Sequence, residues 1–169
     1  MNKLDLMKRL SMMYVLLILG LSTVIAMLIS VKYTSFYIPA LSLENYTKVE
    51  PTVQMKEDAS LLVLSNDCKR VTMVISNHQA ESIILGIKKK IGYRPTTHDI
   101  ISTVFKDFGI DVMMVKITEL KNDTYFAKMF LRRGNKIVEV DIRPSDAVAI
   151  ATRLDAPIYV SNSLLKDTC

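Results

Sequence analysis

The stretch that decides the fold is residues 136–160, KIVEVDIRPSDAVAIATRLDAPIYV. Its first seven residues alternate between two faces, which is typical of a β-strand. Arg143-Pro144 ends that strand, because proline lacks the N–H that a sheet needs and suits the first turn of a helix. Apolar residues then recur at helical spacing until Asp155, and residues 158–160 are short and apolar. The stretch therefore predicts a strand, a sharp elbow, a helix and a second strand.

A second elbow lies upstream, where the residues 94–99, RPTTHD, precede another amphipathic helical pattern. Together, RPTTHD and VDIRPSDAVAIATRLDAPIYV resemble the signature of the bifunctional nuclease family, a domain family of bacteria and plants. The resemblance covers about residues 49–165. It implies an α+β domain that forms oligomers and has nuclease activity on DNA and RNA. It also implies a glycine where Ser76 stands and a glutamate where Gln79 stands. If that glutamate takes part in catalysis, Gln79 weakens the case for activity; if it only caps a helix, Gln79 does the same job.

The composition bounds the architecture. The 169 residues are 50% hydrophobic and 23% charged, enough for one domain with a hydrophobic core and one extra segment. The net charge of +5 is far from the strongly basic footprint of a nucleic-acid-binding domain, so charge alone does not predict a nuclease.

Cys68 and Cys169 lie far apart and lack metal-site spacing. We expect one partly buried thiol and one thiol in a frayed C-terminus.

The most apolar segment is residues 12–31, MMYVLLILGLSTVIAMLISV, which contains no charge. Its length of about 20 residues is what a helix needs to cross a bilayer. Lys3, Lys8 and Arg9 precede it and Lys32 closely follows. The positive-inside rule therefore predicts a single-pass protein with a cytoplasmic N-terminus and its domain outside the cytoplasm. A cleaved signal peptide is the alternative, but this apolar run is long for one and lacks a convincing cleavage site.

We predict three parts: a membrane anchor over residues 1–32, a tether over residues 33–45 and a globular domain over residues 46–169. Strand patterns outnumber helical ones and mostly follow one another directly. This order predicts an α+β domain with a largely antiparallel or mixed sheet and helices packed on it. Short strands leave sheet edges that need covering, so we also expect a homo-oligomer.

Polar side chains at the two elbows are the candidates for a site. The proposed catalytic residues are His98, Asp99, Asp141 and Asp146, and the proposed substrate-binding residues are Arg94, Arg143 and Ser145. Hydrolysis of a phosphodiester needs an activated water, cations that offset the negative charge building on the phosphorane, and a group that protonates the leaving oxygen. Arginine suits the phosphate contact and histidine the proton transfer. Asp141 and Asp146 would supply oxygens for Mg²⁺ or Mn²⁺.

The same residues also have a purely structural interpretation. Asp99 and Asp146 fall in the first turn of a predicted helix, where a carboxylate complements the helix dipole. Arg143 would then pair with a neighbouring aspartate and pin the elbow. Two functions therefore stay open: a membrane-anchored nuclease, and a non-catalytic oligomeric module that binds a nucleotide, a nucleic acid or a protein. Metal-dependent cleavage would distinguish the nuclease from the binding module.

Overall fold

The computed structural model describes residues 3–32 and 39–169, and the chain divides into two compact units, Met1–Ser42 and Leu43–Cys169. The first unit contains a long helix, α1 (Lys3–Lys32), and one turn of 3-10 helix at Pro39–Leu41. Within α1, a 19-residue segment from Arg9 to Met27 is long and apolar enough to cross a membrane, and none of it is buried. A signal sequence has the same features. Residues 33–38 of the predicted tether lie outside the described residues.

In the second unit most strands follow one another directly, as the sequence predicts, and three helices interrupt them. Its strands are β1 (Tyr46–Gln54), β2 (Ser60–Ser65), β3 (Lys69–Ile75), β4 (Asp111–Lys121), β5 (Thr124–Arg133), β6 (Lys136–Ile142), β7 (Ile158–Ser161) and β8 (Lys166–Asp167). Its helices are α2 (Asn77–Ile87), α3 (Thr97–Asp107) and α4 (Pro144–Leu154). The strands form one sheet in the order β6-β5-β4-β7-β1-β2-β3-β8. Every neighbouring pair is antiparallel except β4 and β7, which are parallel. The predicted α+β class with a mixed sheet is confirmed.

Helix α4 lies at the centre of the core. It packs against α2, α3, β4 and β5, and five consecutive residues, Ala147 to Ala151, are buried. Four of the five are alanine or valine, so neighbouring helices approach closely. Gly86 in α2 marks the closest approach, because a Cβ there would overlap the Thr152 hydroxyl and lie 2.9 Å from the Arg153 guanidinium. The elbow stretch thus organises the domain.

Helices α2 and α3 each begin with a capping box. Ser76 and Gln79 form a capping box at α2, with the Ser76 N–H donating to Gln79 Oε1 at 2.9 Å. Thr96 and Asp99 form a second box at α3. Helix α4 begins differently, because Pro144 occupies its first turn and its N-cap, Arg143, makes no side-chain capping bond.

The expectation of two free thiols is wrong, because Cys68 and Cys169 form a disulfide with their Cα atoms 5.1 Å apart. The short strand β8 explains the pairing. It adds to β3 with Lys69 opposite Asp167, and the Thr168 N–H donates to the Cys68 carbonyl at 2.9 Å. Backbone pairing therefore brings together two cysteines that are 101 residues apart.

The sheet face opposite the helices holds a buried lysine. Lys116 is 3% exposed, and its ammonium lies 4.8 Å and 5.1 Å from the ring centroids of Tyr46 and Phe130. Burial lowers the pKa of Lys116. The aromatic faces compensate part of the lost hydration of the cation.

Candidate active site

The N-terminal turns of α3 and α4 meet, and the two elbows contribute side chains to one place. His98 from the first elbow places Nε2 3.4 Å from Asp146 Oδ1 of the second. The other oxygen of Asp146 accepts a 2.7 Å hydrogen bond from Arg143 Nε. We call these three residues the open cluster. The side chains of His98 and Asp146 are 18% and 19% exposed and that of Arg143 is 74% exposed, so a ligand in solution can reach them.

A second set of residues lies behind the open cluster and is closed to solvent. Arg153, near the end of α4, donates from Nε to Asp99 Oδ1 at 2.6 Å. Asp99 Oδ2 accepts from the Thr96 N–H and hydroxyl, both at 2.7 Å. We call Asp99, Arg153 and Thr96 the buried cluster, because the Arg153 and Asp99 side chains are only 7% and 6% exposed.

The environment of Asp99 keeps it ionised. Burial alone raises the pKa of a carboxyl, but the hydrogen bonds from Arg153 and Thr96, together with the Arg153 charge, outweigh it. The pKa of Asp99 therefore lies below its ordinary value of 3.8. The geometry accordingly makes Asp99 a helix cap and a buried ion-pair partner.

Ser82, from α2, joins the two clusters. Its hydroxyl lies 2.9 Å from His98 Nδ1 and 3.2 Å from Arg153 Nη2. Arg153 Nη1 also donates to the Ser82 carbonyl at 2.9 Å. The His98 ring is thus held between α2 on one side and the Asp146 carboxylate on the other.

The structure places the remaining predicted site residues, Ser145, Arg94 and Asp141, in three different settings. Ser145 is buried, and its hydroxyl accepts a 2.9 Å bond from Gln79 Nε2, which ties the start of α4 to the start of α2. Arg94 is exposed just before α3 and forms no ion pair within the described residues. Asp141 is exposed on β6, opposite Lys128 of β5. It makes no hydrogen bond to the open cluster in the part of the chain described.

The described residues do not form a ready metal site. No group of three or more His, Cys, Asp or Glu side chains there lies close enough to hold a metal ion. Asp146 uses one oxygen on Arg143 and faces His98 with the other. Asp141 lies opposite Lys128 and interacts with its charge, and one carboxylate is a weak ligand set for a metal ion on its own.

Sequence reasoning missed Arg153 and Ser82. One signal for Arg153 was available, since it is a lone cation on a helix whose neighbouring positions are apolar, and a buried charge requires a partner. Ser82 gave no such signal, because a serine in mid-helix is ordinary. Its role depends on where α2 crosses α4.

The fold and the site define a class: an α+β domain that places a histidine, a carboxylate and arginines at the joined N-termini of two helices. Residues 61–169 match the family described as "Bifunctional nuclease domain". That match covers more than half of the chain. The chain therefore belongs to the bifunctional nuclease domain family, as its two elbow motifs predict.

Relatives extend from bacteria to plants. The chain is 31% identical over 115 residues to the uncharacterized protein Rv1829 of Mycobacterium tuberculosis, covering 67% of this chain and 68% of that one. It is 38% identical over 74 residues to "Bifunctional nuclease 1" and 36% identical to "Bifunctional nuclease 2" of Arabidopsis thaliana. These matches cover 42% of this chain but only 23% and 22% of the two plant proteins. Together they support a nuclease-related function in general.

Proposed function

We propose that this protein is a nuclease that hydrolyses phosphodiester bonds of DNA or RNA at the open cluster. The observation that carries the proposal is the contact of His98 with Asp146 beside the exposed guanidinium of Arg143. A histidine next to a carboxylate is suited to general acid–base work near neutral pH. An exposed arginine is suited to a phosphate group. Family membership supports the same function.

In this mechanism His98 moves the proton and the arginines hold the phosphate. The ring accepts a proton from the water whose oxygen bonds to phosphorus, and Asp146 stabilises the imidazolium that forms. The same ring then returns the proton to the ester oxygen as its bond to phosphorus breaks. Arg143 and Arg94 offset the negative charge that builds on the phosphate oxygens. Ser145 acts indirectly, since its bond from Gln79 fixes where α4 begins.

A divalent metal stays a prediction. Mg²⁺ is commonly held by one or two carboxylates, with substrate phosphates and water completing its shell. Asp141 would be such a carboxylate. Chelation of the purified protein, followed by readdition of Mg²⁺ or Mn²⁺, tests this directly.

The experiment uses the full chain in detergent micelles with a fluorescent single-stranded oligonucleotide, first DNA and then RNA. We expect cleavage by the wild type and its loss in His98→Ala, with the melting temperature of that variant near the wild-type value. Absence of cleavage by the wild type, with either metal or neither, would contradict the nuclease proposal.

A non-catalytic binding module is the second candidate, and one feature favours it. The His98 ring nitrogens and the Asp146 oxygens already face partners within the protein.

Oligomerisation belongs to both candidates and stays a prediction. The edge strand β6 exposes Val138 and Val140, and α3 with its C-cap exposes Ile100, Val104 and Phe108 at helical spacing. Light scattering of the detergent-solubilised chain would measure the oligomeric state, and oligonucleotide binding without cleavage would support the module.

We also propose that α1 anchors the protein in a membrane with the domain outside the cytoplasm. Lys3, Lys8 and Arg9 precede the apolar segment. The disulfide between Cys68 and Cys169 supports the orientation independently, because such bonds persist in oxidising compartments. Protein from cells treated with a maleimide reagent before lysis should still carry the disulfide. Its two cysteines should therefore become available for labelling only after reduction. Labelling of both cysteines without reduction would contradict the outward orientation.

A further inference from the structure

The connection between α2 and α3 consists of residues 88–95, KKKIGYRP, and every one of them is exposed. We call this segment the basic loop. The Lys90 N–H donates to the Leu85 carbonyl at 3.0 Å, and the Lys89 ammonium pairs with Asp155 at 2.6 Å. The residue that follows the loop is the N-cap of α3. The basic loop is therefore exposed to solvent but fixed at both ends.

The tip of the basic loop presents an uncovered aromatic ring. Tyr93 is 103% exposed, and Ile91 is 66% exposed. By contrast, Tyr46, Tyr125 and Tyr159 are each partly buried. Both faces of the Tyr93 ring are thus open to a flat partner, and a nucleobase in a single strand is such a partner.

The residues around this ring are cations. Residues 82–98 contain Lys88, Lys89, Lys90 and Arg94 but no aspartate or glutamate. Lys89 has its ion-pair partner, and the other three form no ion pair with any residue that the structure describes. The whole chain carries a net charge of only +5, so positive charge is concentrated at this loop. Its electrostatic complement is a polyanion.

The basic loop also leads directly to the open cluster. His98 follows Tyr93 by five positions, and an extended chain covers at most about 3.6 Å per residue. The two Cα atoms are therefore no more than about 18 Å apart. A nucleic-acid strand bound at the open cluster can reach Tyr93 within a few nucleotides.

We propose that the basic loop binds single-stranded nucleic acid. One base stacks on the Tyr93 ring, and the neighbouring phosphates lie against Lys88, Lys90 and Arg94. In a duplex the bases are stacked on one another and cannot cover the ring, so Tyr93 selects single strands. The inference rests on the proposed function for its class of substrate, whereas binding itself requires no cleavage.

A single fluorophore tests the stacking contact. The sequence contains no tryptophan, so Tyr93→Trp introduces one indole at the tip of the loop. His98→Ala in the same chain keeps the oligonucleotide intact. For the full chain in detergent, a single-stranded oligonucleotide should quench the emission of this indole, and a duplex of the same sequence should not. Unchanged emission with the single strand, or equal quenching by the duplex, would overturn the proposal.

The same variant reports on a membrane surface as the rival occupant. It is reconstituted into vesicles of brominated phosphatidylcholine and phosphatidylglycerol, whose bromine atoms quench an indole that enters the lipid. We expect the emission to match that in vesicles without bromine. Quenching by the brominated lipid with none by the oligonucleotide would assign the loop to the membrane and contradict the proposal.

Affinity for the single strand, measured by fluorescence anisotropy, separates the ring from the charges. Tyr93→Ala should weaken binding roughly tenfold or more without changing the slope of log Kd against log salt concentration. Tyr93→Phe keeps the ring and should bind like the wild type. Phe108→Ala is the matched control, because Phe108 is an aromatic residue, 59% exposed, at the opposite end of α3. Wild-type affinity in Tyr93→Ala, or an equal loss in Phe108→Ala, would contradict the assignment.

The lysines should act on the salt dependence. Lys88→Gln with Lys90→Gln should lower the slope by about 1.4, since each phosphate contact to a single strand contributes about 0.7. Lys106→Gln with Lys121→Gln removes the same charge from exposed positions outside the loop and should keep the wild-type slope. Equal slopes in the two double variants would contradict phosphate contacts at the loop.

The outcomes also distinguish this inference from the nuclease proposal. Binding that depends on Tyr93, in a wild type that cleaves no oligonucleotide, would support the loop site and contradict the nuclease. Cleavage by the wild type, together with unchanged affinity in Tyr93→Ala, would support the nuclease and overturn the loop site.

Discussion

His98 and Asp99 are adjacent in the sequence, yet they belong to different regions of the molecule. Asp99 points inward to Arg153 in the buried cluster, where both side chains are less than a tenth exposed. His98 points to Asp146 in the open cluster, with nearly a fifth of each side chain exposed. The same helix start thus supplies one residue to the framework and one to the surface. Polar residues at a helix start must therefore be assigned one by one, from their burial and partners.

The largest effect on stability is expected from breaking the buried pair. Arg153→Met leaves Asp99 charged and without its cation, which should lower the free energy of unfolding by about 3–5 kcal/mol. Arg132→Met is the matched control, because Arg132 pairs with Asp111 at 3.0 Å on the surface. Its loss should lower stability by about 0–1 kcal/mol. Urea unfolding followed by circular dichroism measures both, and equal losses would contradict the distinction between the clusters.

Acid should weaken the buried cluster with a definite sign. The folded-state pKa of Asp99 lies below its unfolded value of 3.8, so the stability it contributes is fully present above pH 3.8. That stability is lost as the pH falls through the lower, folded value. The Asp99→Asn variant should lack this part of the acid dependence. Melting temperatures between pH 2 and pH 5, recorded for both proteins, test this; identical slopes would contradict it.

Local features of this fold could be predicted from the sequence. The elbows, the capping box at Ser76–Gln79 and the strands other than β8 follow from periodicity and from short-range side-chain chemistry. Contacts between distant residues could not. Arg153 meets Asp99 54 residues away, and Cys68 meets Cys169 through a strand of two residues. The insertion of β7 between β4 and β1 was equally invisible, because no local pattern specifies which strands become neighbours.

The candidate site also has features that could be predicted from the sequence and features that could not. Its residue types followed from the two elbows, and their meeting depends on the packing of α3 against α4. Burial separates the seven candidates, since Asp99 and Ser145 lie inside while Arg94, Arg143 and Asp141 are exposed. Burial of a polar residue cannot be read from its own position in the sequence.

The smallest effect is expected at Gln79, which supports both α2 and α4. Gln79→Ala removes its bonds to Ser76 and Ser145 and should lower stability by about 0.5–1.5 kcal/mol. Gln79→Glu keeps an acceptor for Ser76, and the Ser145 hydroxyl can turn to donate, so stability should change by less than about 0.5 kcal/mol. Cleavage by Gln79→Glu should equal that of the wild type. A gain in cleavage would place this position in the chemistry.

The most direct test of the division between the clusters compares two substitutions of equal size, Asp146→Asn and Asp99→Asn. For each variant of the full chain, the cleavage rate of a single-stranded oligonucleotide and the melting temperature are measured together. Asp146→Asn should reduce the rate by about 10²- to 10⁴-fold with little change in melting temperature. Asp99→Asn should lower the melting temperature and leave the rate per folded molecule near that of the wild type. An Asp146→Asn variant that cleaves at the wild-type rate, or one that loses activity only as it unfolds, would contradict the account.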